Sequence, residues 1–245
     1  MVLNATSQKQ IVEPAVAIQR EYYRATASQY EQMREAEAEA SELALTVMTS
    51  MIGYLGAQSV LDVGAGTGSG LLLIKKTHPE VQVIGIEPSI HLRQQGYAKG
   101  LSPKELIDGD GSCLAFSDAS FDLVCEFGAL HHIPDPHRVV REMLRVARKA
   151  IFICDSNNFG QGSATMRFAK HILNFCKLWP LCDFIKTRGK GYTLSKGDGL
   201  AYSYSIFNEF ADISSCCRRV HMLNTDRSGP NRYWSAPGVA LLGIK

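Results

Sequence analysis

The sequence predicts an α/β fold with a Rossmann-like, mostly parallel sheet, and three observations predict it. Short β-branched apolar runs alternate with helix-period segments between positions 59 and 155. That is the pattern of βαβ units joined by right-handed crossovers. The first run, Val60-Leu61-Asp62-Val63, ends in a loop with Gly64, Gly66, Gly68 and Gly70. A buried strand turning through such a loop into a helix marks a ligand site at the carboxyl edge of a parallel sheet. Two more apolar runs, at 219–224 and 238–244, add strands at the end of the chain.

Taken in order, residues 1 to about 15 read as a loose arm, and 15–54 as largely helical. Glu35-Ala36-Glu37-Ala38 is rich in helix formers, and Leu45, Met48, Ile52 and Leu55 form an apolar stripe. Strands are expected at 59–63, 81–87, 104–108, 121–127 and 149–155. Helices are expected at 69–77, 89–98 and 136–148. Val139, Val140, Met143, Leu144 and Val146 give the last of these an apolar face. A helical pattern runs over 163–182, and the polar stretch 225–237 reads as a long hairpin connection.

Composition narrows the function. Hydrophobic residues make up 45%, enough for a substantial core, and the net charge is only +2. Such a balance gives no reason to expect nucleic acid or membrane partners. The seven cysteines form no CxxC pair, so neither zinc nor a disulfide framework is indicated. No signal-like or membrane-span stretch stands out. The expectation is a cytoplasmic protein with reduced thiols.

The loop leaves two ligands open. A dinucleotide fingerprint needs glycine at the first, third and sixth positions; from Gly64 the sixth is Ser69. The observed spacing is GxGxG, with Asp62 two residues before it. The run 81–86 ends in Glu87, followed by Pro88, and an acid at that strand tip accepts from ribose hydroxyls in either cofactor. Asp110-Gly111 follows the third strand and by itself is also a common turn pair. Strand four ends in Glu126-Phe127-Gly128-Ala129-Leu130-His131-His132, then Ile133-Pro134-Asp135-Pro136.

In register, these segments resemble class I S-adenosylmethionine-dependent methyltransferases of the ubiquinone and menaquinone biosynthetic type. The resemblance spans about residues 55–155. It departs from the family at Gly111, where alanine is usual, and at Ala115, where proline is usual. It implies a seven-stranded sheet with an antiparallel last strand, helices on both faces, and S-adenosylmethionine as cofactor. It also implies one domain: a helical cap at 1–55, a cofactor-binding core at 56–156, a lid or substrate insertion at 157–205, and C-terminal strands at 206–245. Asp62, Gly64, Ala65, Gly66, Glu87, Pro88, Asp110, Gly111 and Phe127 are then the cofactor-binding candidates. Tyr30 joins them by the same resemblance, near the methionine end.

Methyl transfer is an in-line displacement that needs alignment and dryness more than a metal. A hydroxyl acceptor also benefits from a base. His131 is the candidate base, since histidine titrates near neutrality; Glu126 is the candidate group to offset the sulfonium charge. Asp155-Ser156-Asn157-Asn158 raises a metal alternative, but no convincing oxygen set accompanies it, so no metal is expected. Arg188, Tyr192 and Tyr202, in the Gly-, Tyr- and Lys-rich insertion, are the substrate-binding candidates. The reading is a methyltransferase acting on a small molecule at oxygen or carbon. An NAD-linked oxidoreductase and a non-catalytic cofactor-binding protein stand as alternatives.

Overall fold

A computed structural model describes residues 5–33, 38–226 and 236–245, with side chains described for 15–33, 42–226 and 236–245. Five strands build the parallel part of the sheet: β1 (Ser59–Val63), β2 (Gln82–Ile86), β3 (Leu106–Ile107), β4 (Phe121–Phe127) and β5 (Ala147–Ser156). A small hairpin, β6 (Tyr192–Ser195) and β7 (Gly199–Tyr202), stands apart. The chain then returns through β8 (Arg219–Asn224) and β9 (Gly238–Ile244). The main sheet has seven strands in the order β3-β2-β1-β4-β5-β9-β8. The last strand, β9, runs antiparallel to both β5 and β8, as the sequence resemblance implied.

Both faces of the sheet are covered. Helices α1 (Ala5–Thr26), α2 (Tyr30–Met33) and α3 (Ala38–Leu55) precede β1. Helices α4 (Ser69–Thr77), α5 (Ile90–Ala98) and α6 (Pro136–Val146) form the crossovers. On one face, Ala44, Met48 and Ile52 of α3 and Leu71 and Ile74 of α4 pack on Val60, Leu123 and Phe152. On the other, Val139, Val140 and Met143 of α6 pack on Leu61, Val124 and Ile151. Alternate residues of β1 therefore feed two cores, which explains its near-continuous apolar run. Full burial of each such side chain contributes about 1.5–3 kcal/mol.

Local chemistry fixes the helix ends. The Asp135 carboxylate accepts from the Arg138 N–H, and Pro136 opens α6, a favoured start. Ser89 caps α5 by accepting from Leu92. The expected helix at 136–148 stops at Val146, because Ala147 already pairs with Phe121 in the sheet. Strand β3 is shorter than expected, since a turn over 102–105 holds Glu105 against the Ser102 N–H and Lys75.

Three regions differ from the sequence reading. Residues 5–15, expected as a loose arm, are helical and form the first turns of α1. The continuation of that helix is anchored: Gln19 Oε1 accepts from Leu200 N, and Tyr22 donates to the Lys196 carbonyl. The helical run expected over 163–182 is two helices, α7 (Ala164–Phe175) and α8 (Trp179–Lys186), broken where Lys177 has φ 58°. A further short helix, α9 (Phe210–Cys216), buries Ile213 in the tail. The Glu35-Ala36-Glu37 stretch and most of the 225–237 connection lie outside the described residues.

Asn157, just past β5, locks the sheet edge to the tail. Its side chain donates to the Ala236 carbonyl and accepts from the Ser205 hydroxyl. Gly160 closes the same corner, where an added Cβ would stand 2.0 Å from the Ala236 carbonyl oxygen. Gly160→Ala should therefore destabilise the fold by about 1–3 kcal/mol, read as a lower urea midpoint. An unchanged midpoint would show that the 160 and 236 backbones do not meet.

Candidate active site

The glycine loop is built by backbone constraint. Gly64, Gly66 and Gly68 have φ of 78°, 55° and 72°, a region open to glycine but costly for side chains. A Cβ at Gly64 would stand 2.5 Å from that of Ala129, and one at Gly68 2.1 Å from Leu101 Cδ1. Four of the loop N–H groups already have partners. Gly64 and Ala65 donate to the Ile86 carbonyl, Gly68 to the Ala65 carbonyl, and Gly66 to Glu87 Oε2 at 3.0 Å. Ala65 also packs against β2, where a Cβ on Gly85 would meet its own at 2.7 Å.

Glu87 stands at the tip of β2 and is buried. Its other oxygen, Oε1, accepts from Ser89 N at 2.7 Å. Burial pushes its carboxyl up to about 7, against the pull of the Ser89 and Gly66 N–H groups. Arg93, unremarked in the sequence, donates to the Glu87 carbonyl and to Asp108 Oδ1 at 2.6 Å. It thereby ties the β2 and β3 tips together. Pro88 is exposed beside them. Asp110 is exposed and caps its own turn by accepting from Ser112 N. Gly111 is a close approach, since a Cβ there would lie 2.8 Å from Val63 Cγ1. Asp62 is buried, with Oδ2 directed at Gly70 in the first turn of α4, and its neighbour is the Cys125 thiol.

The cap closes over this loop. The Tyr30 ring lies above Gly66, its hydroxyl 3.4 Å from where a Cβ would stand. Glu31 bonds to the Thr67 hydroxyl, to Ser69 and to Lys99. Tyr22, Tyr23, Tyr30 and Met33 line one wall of an open cleft of about 480 Å³, counting its mouth. The opposite wall is Gly128, His131 and His132 from the β4 tip, with Gly197 and Asp198 from the β6–β7 turn. Phe127, just behind, packs on Phe152.

Under that wall runs a buried chain of acids and imidazoles. Glu126 is fully buried, and its Oε1 accepts from the Ala129 and Leu130 N–H groups. Leu130 N–H also donates to Asp155 Oδ2 at 2.8 Å. Asp155 Oδ1 meets His131 Nδ1 at 2.7 Å, and His131 Nε2 meets Asp198 Oδ2 at 3.2 Å. His132 bonds through Nδ1 to the Leu200 carbonyl and through Nε2 to Asp198 Oδ1.

Burial pushes the Glu126 carboxyl well up, and the Asp155 charge adds to it. Burial would raise Asp155 too, but the His131 ring holds it down. Burial would lower His131; the Asp155 and Asp198 carboxylates outweigh it and hold the ring well above the ordinary imidazole range. The ligand atoms of His131, His132 and Asp198 lie within 4.8 Å of one another. As they stand, the two rings and the carboxylate satisfy one another's hydrogen bonds.

The structure thus gathers Tyr30, the loop glycines, Glu87 and His131 around one edge of the sheet. Glu126 lies beneath the cleft rather than facing it. Arg188 is exposed at the end of α8, and Tyr192 and Tyr202 pair with each other across the hairpin at 6.1 Å. None of these three lines the cleft, where Asp198 and the cap tyrosines stand instead. The sequence offers Asp155 only as a metal candidate and gives Tyr22, Tyr23 and Asp198 no role. Their signal lay in tertiary pairing, which spacing along the chain does not carry.

The strand order, the antiparallel β9 and the acid-tipped loop are those of the class I S-adenosylmethionine-dependent methyltransferases. Residues 61–154 match the family model described as a methyltransferase domain. Among curated relatives, a phosphatidylethanolamine N-methyltransferase of Cereibacter sphaeroides is 38% identical over 107 residues, covering 42% of this chain and 51% of the relative. A demethylmenaquinone methyltransferase of Thermotoga maritima is 30% identical, covering 42% of this chain and 44% of the relative. The chain thus spans about half the length of these relatives. Among solved structures, a possible histamine N-methyltransferase from Thermotoga maritima has the same fold (TM-score 0.60, 17% identity, 92% of this chain and 99% of that one). So does a magnesium protoporphyrin IX methyltransferase from Synechocystis (TM-score 0.60, 12% identity, 94% and 99%).

Proposed function

We propose that the chain binds S-adenosylmethionine against the glycine loop and transfers its methyl group to a small-molecule acceptor by in-line displacement. The observation that carries this is the state of the loop. A dinucleotide needs free loop N–H groups for its pyrophosphate, and here four of them already bond to Ile86, Ala65 and Glu87. What the edge offers instead is carboxylates. Glu87 keeps a lone pair on each oxygen for ribose hydroxyls, and exposed Asp110 can accept the adenine amine. These groups fit a ligand that has hydroxyls and positive charge but no phosphate.

S-adenosylmethionine would supply a methyl already activated on a sulfonium. The protein then has to align the acceptor and exclude water, a contribution of about 7–11 kcal/mol in favourable cases. The three cap tyrosines and the hairpin wall serve that purpose. His131 Nε2 takes the acceptor's proton, while Asp155 at Nδ1 orients the ring and stabilises its charged form, the division of labour of a histidine–aspartate pair. Asp198 stands at Nε2, where an acceptor hydroxyl would bind. Glu126 is a positioning residue that holds the 129–130 backbone. Relatives named for phosphatidylethanolamine and demethylmenaquinone support a small-molecule acceptor. All seven cysteines are free, in keeping with a cytoplasmic setting.

Calorimetric titration tests the cofactor assignment. The wild-type chain should bind S-adenosylmethionine and not NAD. Asp110→Ala should weaken binding about tenfold or more, the loss of one charge-assisted hydrogen bond. Binding of NAD alone would overturn the reading. Transfer of labelled methyl to a component of a metabolite extract, found by mass spectrometry as a product one methyl group heavier, separates an enzyme from a mere binder.

A further inference from the structure

A surface helix ordinarily turns its apolar stripe inward. Helices α7 and α8 do the reverse. Neither contributes a buried residue. Phe168, Ile172 and Phe175 recur at i, i+4 and i+7 on α7, and Phe168 and Phe175 are 69% and 89% exposed. Leu181, Phe184 and Ile185 continue the exposed face along α8. Inward, Lys170 Nζ reaches back to the Asn158 and Gln161 carbonyls, and the His171 ring packs on Phe159. This patch is contiguous in sequence and far more apolar than scattered surface leucines would make it.

The charge around it is one-sided. Between positions 164 and 196 there are seven lysines and arginines and one acid, Asp183, in a chain whose net charge is only +2. Lys177, Arg188 and Lys190 are all exposed where the helices end. An apolar face carrying Phe, Leu and Ile within a basic border is the composition of a helix lying in a membrane interface, with cations at the headgroups. Two copies meeting through this face would bring like charges together. Nucleic acid would use the cations and leave the phenylalanines in water. No helix among the described residues is long and apolar enough to span a bilayer, so any contact through this face is peripheral.

We propose that the outer face of α7 and α8 docks the protein onto an anionic lipid bilayer. The face belongs to the same insertion as the β6–β7 hairpin, so docking would set the cleft close to the membrane surface. The test is flotation of the full chain with vesicles of phosphatidylcholine alone or mixed with phosphatidylglycerol. No cofactor or acceptor is needed, so the result stands apart from that of the methyl-transfer assay. The wild-type chain should float with the anionic vesicles, and added salt should weaken the binding. Lys177→Glu/Arg188→Glu/Lys190→Glu should lose at least about a hundredfold in affinity, at roughly 1 kcal/mol per removed cation. Phe168→Ser/Phe175→Ser should lose binding at every salt concentration. Both sets lie on the exterior, and circular dichroism confirms their folding. Equal binding to neutral vesicles, no binding to anionic ones, or binding that survives Phe168→Ser/Phe175→Ser would overturn the proposal. So would a dimer that Phe175→Ser converts to a monomer, since the face would then belong to a second copy.

Discussion

Replacing His131 with alanine should slow methyl transfer about 10²–10⁴-fold, the usual share of a general base, while S-adenosylmethionine affinity stays within a few-fold. The measure is transfer of labelled methyl into the product found in extract, beside calorimetry on the same sample. The acceptor would deliver its proton to Nε2, and the other ring nitrogen is already held by Asp155 at 2.7 Å. In the resting arrangement the Asp155 and Asp198 carboxylates keep the ring protonated above its ordinary range. A base must be neutral to act, so activity should rise with pH through that elevated pKa. Asp198→Asn removes one of the two carboxylates and should move the rise to lower pH; the ring's own NMR titration reports the same shift. Stability runs the other way. A histidine whose folded pKa is raised contributes fully below about 6.5, and the contribution fades as pH climbs through the folded value. If His131→Ala turns over at the wild-type rate, the proton leaves by another route and His131 serves only packing.

The parts of the site legible in the sequence were those written in local chemistry. Gly64, Gly66 and Gly68 had to be glycine because the backbone there has positive φ, and a GxGxG run after a strand announces that. Glu87 was legible as an acid ending a β-branched run. The strands at 59–63, 121–127, 219–224 and 238–244 were legible because alternation and turn residues bounded them on both sides. The insertion was harder. Its helices carry a periodic stripe, so a helical reading over 163–182 followed, but the stripe faces outward and the Lys177 break interrupts it. Asp198 sits in a Gly-Asp-Gly turn that reads as any turn. Only tertiary packing brings it 3.2 Å from His131, across a separation that periodicity cannot bridge. A charge near a lid suggests a substrate ligand at Arg188, yet its place on the exterior depends on how α8 ends.

Glu87→Gln should remove the loss of stability that the ligand-free protein shows as pH rises, and should weaken its binding of S-adenosylmethionine. In the fold the Glu87 carboxyl is raised from 4.5 to about 7, chiefly by burial. The sign follows from proton binding. Below about 4.5 both folded and unfolded chains carry the proton, and the residue costs nothing through ionisation. Between about 4.5 and 7 only the unfolded chain has released it, so stability falls as pH rises. Above 7 the full cost stands, about 3 kcal/mol at roughly 1.4 kcal/mol per pKa unit. Glutamine does not ionise and removes that slope. Its amide cannot accept from both Gly66 and Ser89, which adds a constant cost of about 1–3 kcal/mol and shifts the whole curve without tilting it. Urea unfolding of both chains across this pH range should therefore show the variant gaining about 3 kcal/mol on the wild type from the acid to the alkaline end. Parallel curves would mean that Glu87 ionises as easily in the fold as in water. The same substitution removes the negative charge and one acceptor oxygen from the ribose position, so cofactor affinity should fall at least about tenfold. A carboxylate whose burial costs stability, yet which sits where ribose hydroxyls would bind, is the compromise a binding site makes with its scaffold. A flattened pH profile together with weaker cofactor binding distinguishes that role from simple packing, whose loss would lower stability equally at every pH.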